Sequence, residues 1–170
     1  MVQTSALYLY ALALGSNRAL SAKHPPERMV REAATLIGQL GEVRAMAPVL
    51  ITRPLGPSQR LFANSALLVA SPLPPEAMLA GLKQIESRLG RQRHRRWGAR
   101  RMDIDIILWS GGIWNSRTLT IPHLAFRSRS FVLRPLRAIA PTWRDPVSGL
   151  SVRQLDARLR KATAPPRPRG

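Results

Sequence analysis

Apolar positions recur along this chain with two periods, and the alternation between them predicts most of its elements. Residues 7–14 (LYLYALAL) are apolar throughout, which predicts an inner strand ended by the turn formers Gly15, Ser16 and Asn17. After Pro25 and Pro26, the residues Met29, Val30, Ala33, Ala34, Leu36, Ile37 and Leu40 return at helical spacing, and Gly38 and Gly41 mark the stop. Residues 43–52 read as a second strand, with Pro48 placing it at an edge or in a bulge. Residues 52–60 (TRPLGPSQR) are a turn-rich loop, and 62–70 return to strand. A second helix begins near Pro75, carries Met78, Leu79, Leu82, Ile85 and Leu89 on one face, and stops at Gly90. In the next strand Met102, Ile104, Ile106 and Leu108 alternate into a core, leaving Asp103, Asp105, Ile107 and Trp109 on the opposite face. A turn at Gly111 and Gly112, a short strand ending in LTIPH, and short helices over 131–139 and 152–159 complete the pattern. The order β-α-β-β-α-β is that of the split βαβ unit. It predicts an α+β, ferredoxin-like sandwich with an antiparallel sheet, helices on one face and a C-terminal extension. The expected organisation is one domain over 7–162, a flexible stretch at 1–6 and a disordered, basic, proline-rich tail at 163–170.

Length and composition narrow the function. A chain of 170 residues with 45% apolar content suits one domain with a real core. Its 27 Lys and Arg against 9 Asp and Glu give a net charge of +18, which attracts polyanions without specifying a fold. No cysteine is present, so disulfides and thiolate chemistry are excluded, in keeping with a reducing compartment. The early apolar run has no Lys or Arg before it and falls well short of the roughly 20 residues of a membrane span. The expectation is a soluble cytoplasmic protein, a monomer without membrane partners.

Charge changes the picture most around residues 88–101 (RLGRQRHRRWGARR), which lead directly into the two aspartates. Acids at i and i+2 of a strand lie roughly 7 Å apart on one face, near enough to serve one polyphosphate through metal ions. Three readings compete: an ion-pair cluster, an RNA-binding patch of arginines with aromatics, and a nucleoside triphosphate site. Arginine forks bind phosphate oxygens while paired acids hold Mg²⁺ on those same oxygens, which favours the third. Neither a Gly-x-x-x-x-Gly-Lys-Ser/Thr loop nor a Gly-x-Gly-x-x-Gly after the first strand occurs, so the familiar phosphate loops are not the means.

The stretch Arg96-Trp97-Gly98-Ala99-Arg100-Arg101-Met102-Asp103-Ile104-Asp105-Ile106-Ile107 resembles, at each fixed position, the signature of the 6-hydroxymethyl-7,8-dihydropterin pyrophosphokinase family. ALALGSN resembles that family's first strand and loop, TRPLGPSQRLFANSAL its second loop and following strand, and LTIPHLAFRSRSFVLRPLRAIAP its last block. Order and spacing agree over about residues 7–141. The resemblance implies transfer of pyrophosphate from ATP to a pterin hydroxymethyl group, with release of AMP, in folate synthesis. It implies that Asp103 and Asp105 hold two Mg²⁺ ions, with Arg91 and Arg100 beside them in catalysis. Asn64 would hydrogen-bond the pterin edge, Phe62 and Phe131 would sandwich its ring, and the backbones of Thr52 and Leu55 would read it. Trp97 and Arg129 would complete the pterin set. Arg91, Arg93, Arg96, Thr120 and His123 would line the ATP. Lys83 stands where the family often has a glutamine, Thr118 where it frequently has an arginine, and Leu124 where some members have a tyrosine.

The rival expectation is a basic RNA-binding module on the same scaffold, without catalysis. Such modules stack bases on sheet-face aromatics. Only 5% of this chain is aromatic, and no such set is visible. No specific nucleic acid is expected; non-specific polyanion binding is, from the net charge.

Overall fold

The computed structural model describes residues 7–17, 25–52, 62–90 and 102–164. The expectations for residues 1–6 and for all but the first two residues of the tail at 163–170 lie outside the described residues, as do those for Leu55, Arg91, Arg93, Arg96, Trp97 and Arg100. Thr163 is the last residue of a helix rather than disordered.

Strand β1 (Tyr8–Ser16) leads into helix α1 (Pro26–Ile37), then β2 (Glu42–Met46), β3 (Leu50–Thr52) and β4 (Phe62–Ser71). Helix α2 (Pro75–Arg88) and β5 (Asp103–Trp109) follow. The sheet order is β2-β4-β1-β5, with β3 continuing the β2 edge along β4, and its pairs are antiparallel. Counting β2 and β3 as one interrupted strand, this is the predicted ferredoxin-like arrangement. The interruption falls at Ala47, Pro48 and Val49, where a proline cannot donate to the ladder.

Both helices start on prolines, Pro26 and Pro75, whose missing N–H is no loss in a first turn. Their apolar stripes meet on one face of the sheet. Met29, Val30, Ala33 and Ile37 of α1 and Met78, Leu82 and Ile85 of α2 pack with Tyr10, Leu12, Leu14, Leu67, Val69, Ile104 and Ile106. The C-terminal extension closes the other face. After the small hairpin β6 (Trp114–Asn115) and β7 (Thr120–Ile121), helices α3 (Ser130–Ile139) and α4 (Val152–Thr163) bring Val132, Leu133, Leu136, Val152 and Leu155 against Ala11, Ala66, Ile107 and Leu108. The sheet is therefore covered on both sides, by α1 and α2 on one and by the extension on the other.

Two local expectations are corrected. Gly15 and Ser16, read as turn formers, belong to β1, because Gly15 pairs with Asn64 on one side and Asp103 on the other. A central strand gains from two neighbours what its turn-prone residues lack in propensity. The alternation of β5 breaks at Ile107: Ala11 pairs with Leu108 but Leu12 with Ile106, so one extra residue bulges out. Leu108, expected beside Ile104 and Ile106, thus joins the opposite core, and Trp109 packs on the first.

An ion pair on the buried Asp145 ties the extension together. Arg127 donates from Nε and Nη2 to the two carboxylate oxygens of Asp145, at 2.7 Å each, while Val147 and Ser148 also donate to that carboxylate. Burial alone would raise the Asp145 carboxyl, but the bonds from Arg127, Ser148 and Val147 prevail and hold it at about 2. A depressed carboxyl contributes stability above the ordinary carboxylate range and loses it as pH falls through about 2. Asp145→Asn should lower the melting temperature at neutral pH, by the equivalent of about 1–2 kcal/mol. The gap from the parent should narrow as pH falls from about 4 to about 2. Thermal melts across that range check both the offset and its closure.

Candidate functional site

Register and side-chain alternation assemble a site at one end of the sheet, on the face that carries α3. Leu50, Asn64, Gly15 and Asp103 form one row across β3, β4, β1 and β5. Ala66, Ala13 and Asp105 form the next row on the same face. Small residues on β1 leave an open floor between the amide on β4 and the carboxylates on β5. Gly15 keeps this floor clear, since a Cβ there would crowd Asn64 Oδ1 at 3.2 Å.

Asn64 is nearly buried and donates from Nδ2 to Thr52 Oγ1 at 3.0 Å, which fixes the amide plane. Phe62, two residues earlier, lies on the same face of β4 and pairs with Thr52 across the strands. Phe131, in the first turn of α3, is partly exposed, with the Arg129 guanidinium 5.8 Å from its ring centroid. Helix α3 packs on β3 and β4, which brings Phe131 and Arg129 to the same face as Asn64.

Asp105 is perturbed by its surroundings. Burial and the neighbouring Asp103 carboxylate hold the Asp105 carboxyl above its usual range, against the opposing charges of His123, Lys83 and Arg129. His123 Nε2 lies 3.7 Å from Asp105 Oδ2. Its Nδ1 accepts the Ala125 N–H at 3.2 Å, which turns Nε2 toward Asp105. Its own backbone N–H bonds to Ile107 O at 3.1 Å, anchoring the segment after β7 to the bulge of β5.

The structure thus brings together Thr52, Phe62, Asn64, Asp103, Asp105, His123, Arg129 and Phe131. Thr120 stands on the hairpin, with its hydroxyl toward Asn115 Oδ1 at 3.3 Å. The positions that depart from the family pattern have occupations of their own. Thr118 bonds to Glu76 Oε2 at 3.0 Å, and Trp114 Nε1 to Glu76 Oε1 at 3.3 Å, docking the hairpin on the start of α2. Lys83 pairs with Glu86 at 3.1 Å, and Leu124 is exposed. Sequence reasoning missed Gly15 and the fully buried Glu86. The signal for Glu86 was present, since it lies four residues after Leu82 on the apolar stripe of α2.

Among the described residues no three His, Cys, Asp or Glu side chains cluster as a metal site. Two carboxylates alone fit Mg²⁺, which keeps several waters and takes its remaining ligands from substrate phosphates. The raised Asp105 carboxyl fits as well, because adjacent acids that resist ionising together are relieved by a cation between them.

The family model described as 7,8-dihydro-6-hydroxymethylpterin-pyrophosphokinase (HPPK) matches residues 11–141, which include both site rows. The chain belongs to the HPPK family. The 2-amino-4-hydroxy-6-hydroxymethyldihydropteridine pyrophosphokinase of Pseudomonas aeruginosa is 37% identical over 138 residues, covering 79% of this chain and 82% of that protein. Its counterpart from Haemophilus influenzae is 36% identical over 132 residues, covering 76% and 79%. A crystal structure of a mutant HPPK-DHPS of Plasmodium falciparum with SDX-DHP shares the fold, with a TM-score of 0.72 at 14% identity. It covers 92% of this HPPK chain, which spans only 45% of that longer one.

Proposed function

We propose that this HPPK-family chain transfers the pyrophosphoryl group of ATP to the hydroxymethyl oxygen of 6-hydroxymethyl-7,8-dihydropterin, releasing AMP. One observation carries the reading: Asn64 and Asp103 share a row with only Gly15 between them. Two strand spacings separate their backbones, roughly 10 Å, a distance that a flat bicyclic ring and its hydroxymethyl arm can span. The family match over 11–141 supports the same reaction.

Asn64, held by Thr52, offers its remaining N–H and its Oδ1 to the donor and acceptor edge of the pterin. Phe62 and Phe131 supply aromatic surface for its faces, Arg129 stands at the mouth, and Leu55 and Trp97 complete the set. His123 turns its Nε2–H from Asp105 to a phosphate oxygen when the triphosphate arrives. Asp103 and Asp105 would hold two Mg²⁺ ions, which would offset the phosphate charge that repels an incoming oxygen. The pterin oxygen bonds to the β-phosphorus, the bond from that phosphorus to the α-bridging oxygen breaks, and AMP leaves with the electron pair. The hydroxyl proton passes to water. Little covalent help is needed, so catalysis is positioning and charge stabilisation. Arg91 and Arg100 take up charge toward the departing AMP, while Arg93, Arg96 and Thr120 line the nucleotide.

The enzyme is read as a cytoplasmic monomer with a single domain over 7–162, and the net charge of +18 over the full chain serves no specific nucleic acid. No described helix is long and apolar enough to cross a membrane. Incubation with ATP, Mg²⁺ and the pterin should yield AMP and pterin diphosphate in equal amounts, followed by chromatography. ADP in place of AMP would mean transfer of a single phosphoryl group and would overturn the proposal.

A further inference from the structure

We infer that Glu86 is a positioning residue for the aspartate pair, acting through the backbone between the two carboxylates. This rests on the proposed metal role of Asp103 and Asp105. Among the described residues strand β5 pairs with no strand but β1, and beyond that edge the His123 N–H holds its backbone at Ile107 O, three residues past Ile104. An edge strand is free to shift on its outer side, and here it carries two neighbouring acids that repel each other. The Ile104 N–H, which lies between them, points outward. Glu86 Oε1 accepts it at 2.8 Å, reaching across from α2. The Glu86 side chain is fully buried, and its other oxygen takes the Lys83 ammonium at 3.1 Å.

A carboxylate is a costly way to satisfy one edge N–H, because burying a charge demands compensation that an apolar residue on this stripe would not need. What the charge adds is strength: a charge-assisted bond to N–H is about twice as strong as a neutral one. It fixes the backbone at Ile104, and so the directions in which the residues on either side project. Lys83, paired with the second oxygen, gives the buried Glu86 carboxylate an opposite charge beside it. Glu86 touches no substrate in this arrangement. It sets where the metal-binding oxygens are.

Two substitutions separate this from a simple stabilising role. Glu86→Asp keeps the charge but withdraws the acceptor by one methylene, out of reach of Ile104. Glu86→Gln keeps an oxygen at the right distance and discards the charge. Three quantities are read on the full chain: Ile104 amide exchange, Mn²⁺ affinity with a non-hydrolysable α,β-methylene ATP, and pterin affinity by fluorescence. In Glu86→Asp, Ile104 exchange should rise tenfold or more and Mn²⁺ affinity fall about tenfold, with pterin affinity within twofold of the parent. Glu86→Gln should recover most of both losses. If Glu86→Asp melts earlier but binds Mn²⁺ as the parent does, Glu86 is structural only and the inference is overturned. Failure of the parent itself to bind Mn²⁺ with the analogue overturns the metal reading first, and the inference with it. Ile104 exchange then still reports the Glu86 bond on its own.

Discussion

Asp105→Asn should abolish pyrophosphoryl transfer while leaving the protein at least as stable as before. Asparagine preserves the size and the hydrogen-bonding capacity of the side chain and removes only the charge. Loss of a group that stabilises charge at the reacting centre costs about 3 kcal/mol or more, a fall in kcat of at least a hundredfold. Asp103→Asn should cost a similar amount. The stability of the Asp105 variant carries the more discriminating sign. Burial and the Asp103 carboxylate raise the Asp105 carboxyl in the folded protein. A raised carboxyl contributes stability at low pH, where it is protonated, and loses it as pH rises through its folded value. At neutral pH the ionised Asp105 is therefore a burden on the fold, and Asn lifts it. The melting temperature should hold or rise near neutrality, and the difference should vanish below the ordinary carboxylate range. Were the two acids present to pair with Arg100 and Arg101, the sign would reverse, with a less stable variant that keeps its activity. Turnover and melting temperature measured on the same preparation decide between these outcomes.

The aspartates were legible because strand alternation is a local rule: residues two apart share a face whatever the strand pairs with. The same rule failed two residues later. The bulge at Ile107 depends on how β5 registers against Ala11 and Leu12, and nothing within residues 102–109 encodes that. Gly15 shows the opposite failure. Gly-Ser-Asn is sound turn chemistry, but β4 and β5 pair with β1 on both flanks and draw Gly15 into the ladder. Its value to the site, the absence of a Cβ beside Asn64, is likewise a fact about a neighbour. Helices α3 and α4 were legible as helices from their apolar spacing. That they cover the second face of the sheet is tertiary, and it is this packing that brings Phe131 and Arg129 to the site. Glu86 escaped because a periodicity reading counts apolar positions and passes over an acid among them. The family resemblance supplied roles for residues such as Asn64 that alternation alone leaves as a strand amide.

Asn64→Ala should separate pterin binding from the metal half of the site. The amide is nearly buried and one of its N–H groups is committed to Thr52 Oγ1. That bond orients the remaining N–H and Oδ1 as a fixed donor and acceptor pair, so a ligand edge of matching polarity pays little to align them. Alanine removes both partners and leaves the corresponding ligand groups desolvated without bonds, at about 1–3 kcal/mol for each unsatisfied group. Pterin affinity should fall by at least about thirtyfold. Mn²⁺ binding with the ATP analogue should stay within twofold, because the row passes from Asn64 to Asp103 through a glycine that has no side chain to relay a shift. Thr52→Val offers a graded control: it keeps the amide but frees its plane, and should cost pterin affinity by less than the alanine does. Titration of pterin fluorescence gives the first quantity and Mn²⁺ binding the second. A variant that loses both in proportion would show that the two rows act as one unit, and would remove Asn64 from the role of independent pterin reader.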